Sequence, residues 1–193
     1  MNNLVFVLRA ALLDRKVFEE LSEDGGSMGV AGAIVVLAAV SAAVAGWSIT
    51  PVNAQIEGLP GYLSGLDAKT LAVLLSASAI PVCWVLWSGI NFYVGTMLLR
   101  GKASYRLTLR AVGVAYSPAL LYFLAALPNF TIPIYQLIPL WVLATVTVAI
   151  KATQGYNWLK VILPALIGWF IAWTFIQYGI VIPYTLGLLL RAE

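Results

Sequence analysis

Charge is confined to short clusters in this chain, and long apolar stretches separate them. Residues 25–56, 70–99, 111–150 and 161–190 contain no Asp, Glu, Lys or Arg, which leaves runs of 32, 30, 40 and 30 residues. A helix that crosses a bilayer needs about 20 apolar residues, so each run is long enough. The pattern predicts spans at about 28–49, 71–98, 111–127, 134–150 and 162–183. The longest run divides in two because Pro128 and Pro133 bracket a short turn. That turn holds the sequon Asn129-Phe130-Thr131, and it is too tight for a glycan acceptor. The second span exceeds the membrane thickness and must tilt or continue beyond it. In the first span Ala38, Ala42 and Gly46 form a row of small residues, the type that lets helix backbones approach closely in lipid.

Residues 3–23 read as one amphipathic helix. Phe6, Ala10, Leu13, Val17 and Leu21 recur at spacings of three and four, opposite Arg9, Lys16, Glu20 and Glu23. Asp14 falls near the apolar edge, and Gly25-Gly26 ends the helix. Such a helix lies in the headgroup plane or packs against the protein's own cytoplasmic loops. The predicted fold is therefore all-α: an N-terminal interfacial helix over residues 1–24, then a five-helix transmembrane domain over 25–193.

Composition sharpens this reading. The chain is 62% hydrophobic and 10% charged, with a mean hydropathy of +0.94. Soluble domains carry about 25% charged residues, so a secreted domain, a nucleic-acid-binding domain and a soluble enzyme are excluded as whole-chain readings. There is no histidine, which removes the commonest metal, haem and acid–base chemistry. The one cysteine, Cys83, lies in an apolar run and reads as packing. No cleavable signal peptide is expected, since Asp14, Arg15 and Lys16 interrupt the first apolar stretch. No nucleotide or hydrolase motif occurs, and the spans hold no ionisable group of the kind coupled transporters use. The expectation is a non-enzymatic protein without cofactor or metal.

Lys and Arg placement sets the orientation. On one side lie Arg9, Arg15, Lys16, Arg100, Lys102, Arg106, Arg110, Lys151 and Lys160; on the other lie only Lys69 and Arg191. This predicts a multi-pass protein of the inner (cytoplasmic) membrane, N-terminus in the cytoplasm and C-terminus outside. A re-entrant hairpin over 111–150 gives the same count, so charge does not separate it from two full spans.

Two groups of residues are candidates for binding. Lys102, Arg106 and Arg110 are spaced by four, so they would share one helical face at the inner leaflet. There they either fix topology or bind anionic headgroups or a partner chain. Inside the membrane, Trp84 and Asn91 share a face of the second span with Trp87, and Trp169 and Gln177 share a face of the fifth with Trp173. A membrane-buried amide needs a partner, and an indole N–H can donate to it. The two stripes either glue helices together or line a site for a small neutral solute. In the second case Asn91, Gln177 and the prolines at 81, 118 and 139 would form a channel or carrier. No convincing internal repeat supports a transporter.

Three segments carry a family resemblance. They are Leu8-Arg9-Ala10-Ala11-Leu12-Leu13 with Val17-Phe18-Glu19-Glu20-Leu21-Ser22-Glu23-Asp24, then Gly101 to Pro118, then Pro139-Leu140-Trp141 with Ile150 to Trp158. In order along most of the chain they resemble prokaryotic Yip-family membrane proteins. The matching positions are small, apolar and basic, not catalytic. The resemblance implies five spans, a cytoplasmic N-terminus and a role in membrane organisation or trafficking. Eukaryotic members associate with Rab GTPases. The short N-terminal segment here lacks their long cytoplasmic region, so that association does not carry over. Asp24-Gly25 stands where the family has an acidic residue followed by proline. The expected role is a scaffold or accessory subunit that binds other membrane-protein subunits and anionic inner-leaflet lipid.

Overall fold

The computed structural model describes residues 3–23, 28–51, 66–155 and 157–176. Every regular element among them is helical: α1 (Asn3–Ala11), α2 (Arg15–Glu23), α3 (Met28–Ile49), α4 (Ala68–Tyr93), α5 (Tyr105–Ala115), α6 (Thr131–Gln154) and α7 (Trp158–Ile176). A π-helical turn, Val94–Leu98, extends α4, and a 3₁₀ segment, Ser117–Ala126, extends α5. Four helical stretches are long and apolar enough to cross a membrane: Met28–Ile49, Ala68–Leu98, Tyr105–Ala126 and Thr131–Gln154. The protein is thus a helical membrane bundle. The predicted fifth span, 162–183, begins within α7, whose apolar part Trp158–Ala172 is shorter than a span, and residues 177–183 lie outside the described residues.

Three boundaries move from their predicted places, each for a local reason. The third span starts at Tyr105, not 111, because Ser104 caps it: its hydroxyl accepts the Leu107 N–H at 3.2 Å. The fourth runs to Gln154, not 150, and stops where Gly155 takes φ 72°. The predicted single helix over 3–23 is two helices. Leu13 takes φ 65°, its N–H donates to Ala10 O at 3.1 Å, and the Asp14 N–H donates to Arg9 O at 3.0 Å. That pattern is a Schellman stop, with leucine where glycine is usual. Asp14 then begins α2 by accepting the Lys16 N–H at 3.0 Å. The residue that blurred the amphipathic pattern ends one helix and caps the next.

The N-terminal pair packs on the bundle. Val17, Phe18 and Leu21 are fully buried, and α2 lies against α5 and α6 while α1 lies against α5 and the 3₁₀ segment. Of the two placements open to the N-terminal segment, packing against the protein is the one observed, though against spans and not loops.

The third span is the centre of the bundle. It is 67% buried over its most apolar window, against 39%, 33% and 28% for the other three. Its halves differ at Pro118, which has no N–H to donate: Pro81, Pro139 and Pro164 sit inside continuous α-helices, but here the α-helix gives way to 3₁₀. The chain tightens, and the Ala119 N–H reaches Tyr116 O at 2.8 Å. Ala115 O, which Ala119 would otherwise satisfy, receives the Thr145 hydroxyl of α6 at 2.7 Å. Further along, Ser41 of α3 donates to Leu120 O at 2.8 Å and accepts the Phe123 N–H at 2.7 Å. A 3₁₀ run of 10 residues is long for that conformation, and these two side chains hold it. Irregular backbone is tolerated at membrane depth only where protein surrounds it, as here.

Candidate functional site

The intramembrane polar residues form joints between helices. Four indoles each donate to a backbone carbonyl of another helix. Trp84 reaches Leu109 O at 2.8 Å, Trp87 reaches Ala165 O at 3.2 Å, Trp169 reaches Pro139 O at 3.0 Å, and Trp141 reaches Ala11 O at 2.7 Å. Trp84 and Trp87, predicted to share a face, instead turn to α5 and α7. Nor does either of them serve Asn91. The Asn91 amide donates to Trp87 O of its own helix at 2.8 Å. Its Oδ1 is buried with no hydrogen-bond partner among the described residues, as are Ser88 Oγ and Ser117 Oγ. Gln177 and the side chain of Trp173 lie outside the described residues.

Trp87 is the hub of the α4–α7 contact. Its ring meets Tyr116 edge-on at 6.1 Å, and it lies so close over Gly168 that a Cβ there would overlap the indole. Beside it is a chamber of about 30 Å³ lined by Cys83, Trp87, Tyr116, Tyr122 and Trp169. Ligand pockets run to about 300–1,000 Å³, so this chamber has no room for a solute. Cys83 is buried, its thiol 3.7 Å from Ala172 O.

The predicted basic row does not form one surface. Lys102 precedes α5, and Lys102 and Arg106 are exposed, while Arg110 is buried and donates to Leu21 O of α2 at 3.2 Å. Arg110 thus ties the N-terminal pair to the central span. Arg100, exposed in the same loop with φ 58°, takes its place beside the other two. Next to this loop sits a residue that sequence reasoning passed over. Gln154, buried at the end of α6, accepts the Ala103 N–H at 3.1 Å and reaches Thr108 Oγ1 at 3.5 Å. It fixes the basic loop against α6. Arg110→Gln should therefore destabilise the protein by about 1.5–3 kcal/mol, the range for a hydrogen bond from a charged group. Arg106→Gln should leave stability within about 0.5 kcal/mol of the parent. Unfolding midpoints of the two purified variants check this, and equal midpoints would contradict the division of roles.

The other polar cluster lies on the N-terminal pair. Arg9 Nε meets Asp14 Oδ2 at 2.7 Å, Arg9 Nη2 meets Glu20 at 3.4 Å, and Arg15 meets Glu19 at 2.7 Å. The Arg9 hydrogen bond, and then the Lys16 N–H, hold the Asp14 carboxyl below its ordinary range. Trp141, which binds Ala11 O, stands ten residues from the start of α6 and thirteen from its end. That is about 15 and 20 Å along the axis, so the end of α1 meets α6 near the middle of that helix. The sequence suggested spans free of ionisable groups, but the third span as it folds includes Arg106 and the buried Arg110, and Lys69 and Lys151 lie near the ends of the second and fourth. No group of His, Cys, Asp or Glu among the described residues is placed to hold a metal ion.

No protein-family model matches this chain, and neither does any curated protein or solved structure.

Proposed function

We propose that this is a non-enzymatic, five-span protein of the inner membrane, of Yip type. On this reading it acts as a scaffold or accessory subunit that binds another membrane-protein subunit and anionic lipid. The observation that carries the proposal is the charged face of α1 and α2, which the fold holds against α5 and α6. The exposed side chains of Arg15 and Lys16 on that face are complementary to a polar face of a companion subunit. The 30 Å³ chamber and the use of the indoles as helix joints favour this reading over a solute carrier. Five spans are supported by the uncharged run 161–190, which continues well past α7. The nine-to-two charge split supports a cytoplasmic N-terminus and an external C-terminus. Arg100, Lys102 and Arg106 supply about 1 kcal/mol each toward anionic headgroups of the inner leaflet.

Purification from native membranes in mild detergent tests the scaffold. A companion chain should co-purify in fixed ratio, and Arg15→Gln/Lys16→Gln should release it. A single species with no companion would overturn the reading. On a Cys83→Ala background, Tyr62→Cys should label from outside and Lys102→Cys only from inside. The reverse pattern would overturn the orientation.

A further inference from the structure

The outer face of the α3–α4 pair carries a groove of about 420 Å³ whose walls are entirely apolar. It is bounded by Val36, Val40 and Trp47 of α3 and by Val73, Ala77 and Pro81 of α4. From Val35 to Trp47 the lining on α3 covers twelve residues, about 18 Å along the helix axis. One leaflet is about 15 Å deep, half of the 30 Å hydrocarbon core. The groove therefore begins near the end of the span and stops about 10 Å short of its other end. A transmembrane helix would need a seat along the full span, so the length suits a single acyl chain.

The mouth of the groove carries a cation. Lys69 Nζ sits 4.7 Å from the centre of the Trp47 ring. It is the single Lys or Arg between Lys16 and Arg100. The acid nearest in sequence, Asp67, is engaged as the cap of α4, accepting the Thr70 N–H at 2.9 Å and the Thr70 hydroxyl at 2.6 Å. Among the described residues Lys69 has no ion pair. An ammonium at the membrane boundary, above a one-leaflet apolar groove, is complementary to a phosphate that carries an acyl chain. We propose that this groove is a binding site for one phospholipid, its acyl chain between α3 and α4 and its phosphate on Lys69. The site lies at the opposite end of the bundle from Arg100, Lys102 and Arg106, and it does not depend on the scaffold reading.

The test is native mass spectrometry of the delipidated full chain in detergent, titrated with dioleoyl phosphatidylglycerol. The parent should retain one lipid at low activation energy. Lys69→Gln should weaken that binding about fivefold. Ala43→Phe, which fills the groove from a wall position, should remove it. Leu140→Phe, on the exposed face of α6, should change nothing. Unfolding midpoints of all variants separate loss of the site from loss of the fold. Three results would overturn the proposal: equal lipid retention by the parent, Lys69→Gln and Ala43→Phe; loss of lipid in Leu140→Phe as well; or a dimer of this chain that Ala43→Phe dissolves, since a second copy would then occupy the groove.

Discussion

Trp87→Ala should cost about 3–5 kcal/mol, the largest single loss from this bundle. The figure is the range for removing a buried tryptophan side chain. It applies because the ring is 2% exposed, fills the space over Gly168, stacks edge-on against Tyr116 and donates to Ala165 O. Truncation enlarges a chamber of about 30 Å³ that already borders the ring. It also strips α4 of its main contact with α7. The converse change, Gly168→Ala, should cost about 1–3 kcal/mol by overpacking. Coupling of the two is the diagnostic. With the indole gone the added methyl has room, so the double variant should lose less than the sum. Unfolding in a mild-to-denaturing detergent titration measures all three. Strict additivity would mean that Trp87 and Gly168 are not in contact.

The second large effect belongs to the hydroxyls that hold the third span. Ser41→Ala removes the group bonded to both Leu120 O and the Phe123 N–H, and Thr145→Val removes the donor to Ala115 O. A buried polar group left without a partner costs about 1–3 kcal/mol. Average hydrogen bonds between membrane helices measure nearer 0.6 kcal/mol, because partners are also found in the unfolded state. The larger figure is expected here. Ser41 stands between Leu120 O and the Phe123 N–H inside the 3₁₀ segment, and Thr145 serves the last carbonyl of α5, so each served group loses its partner when the hydroxyl goes. Each variant should lose about 1–2 kcal/mol, and the two together about 2–4. A loss below about 0.5 kcal/mol for Ser41→Ala would show that the segment relaxes to another hydrogen-bonded form.

The difference between the expected and observed sites has a consistent cause. Spacing by four placed Lys102, Arg106 and Arg110 on one helical face, and that reasoning holds only if all three are helical. Ser104 starts the helix after Lys102. Serine at a helix start is a readable signal. The partner of Arg110 is the carbonyl of Leu21, 89 residues away, and no local pattern announces such a contact. The indoles behaved likewise. That they need acceptors follows from chemistry, but the acceptors are carbonyls on other helices. Gln154 sat among basic and small residues in a turn, where an amide is unremarkable until the loop folds onto it.

Charge-free length fixed the helical spans, because a bilayer leaves a chain no other way to satisfy its backbone. Pro128 marked where the central region turns, whereas Pro133, expected to close that turn, lies in the first turn of α6, and the tightening at Pro118 was not legible. The small row of α3 was a packing face in the sequence and is one in the fold: Ala38 is fully buried, and a Cβ at Gly46 would come within 2.6 Å of Ser76 Oγ. Only the tertiary structure decided which span is central, where the N-terminal pair docks and which arginine is buried. Helix periodicity records which residues avoid polar surroundings, but lipid and protein interior are equally apolar. A membrane sequence therefore says little about which faces meet each other. That choice rests on shape and on single hydrogen bonds between residues far apart in the chain.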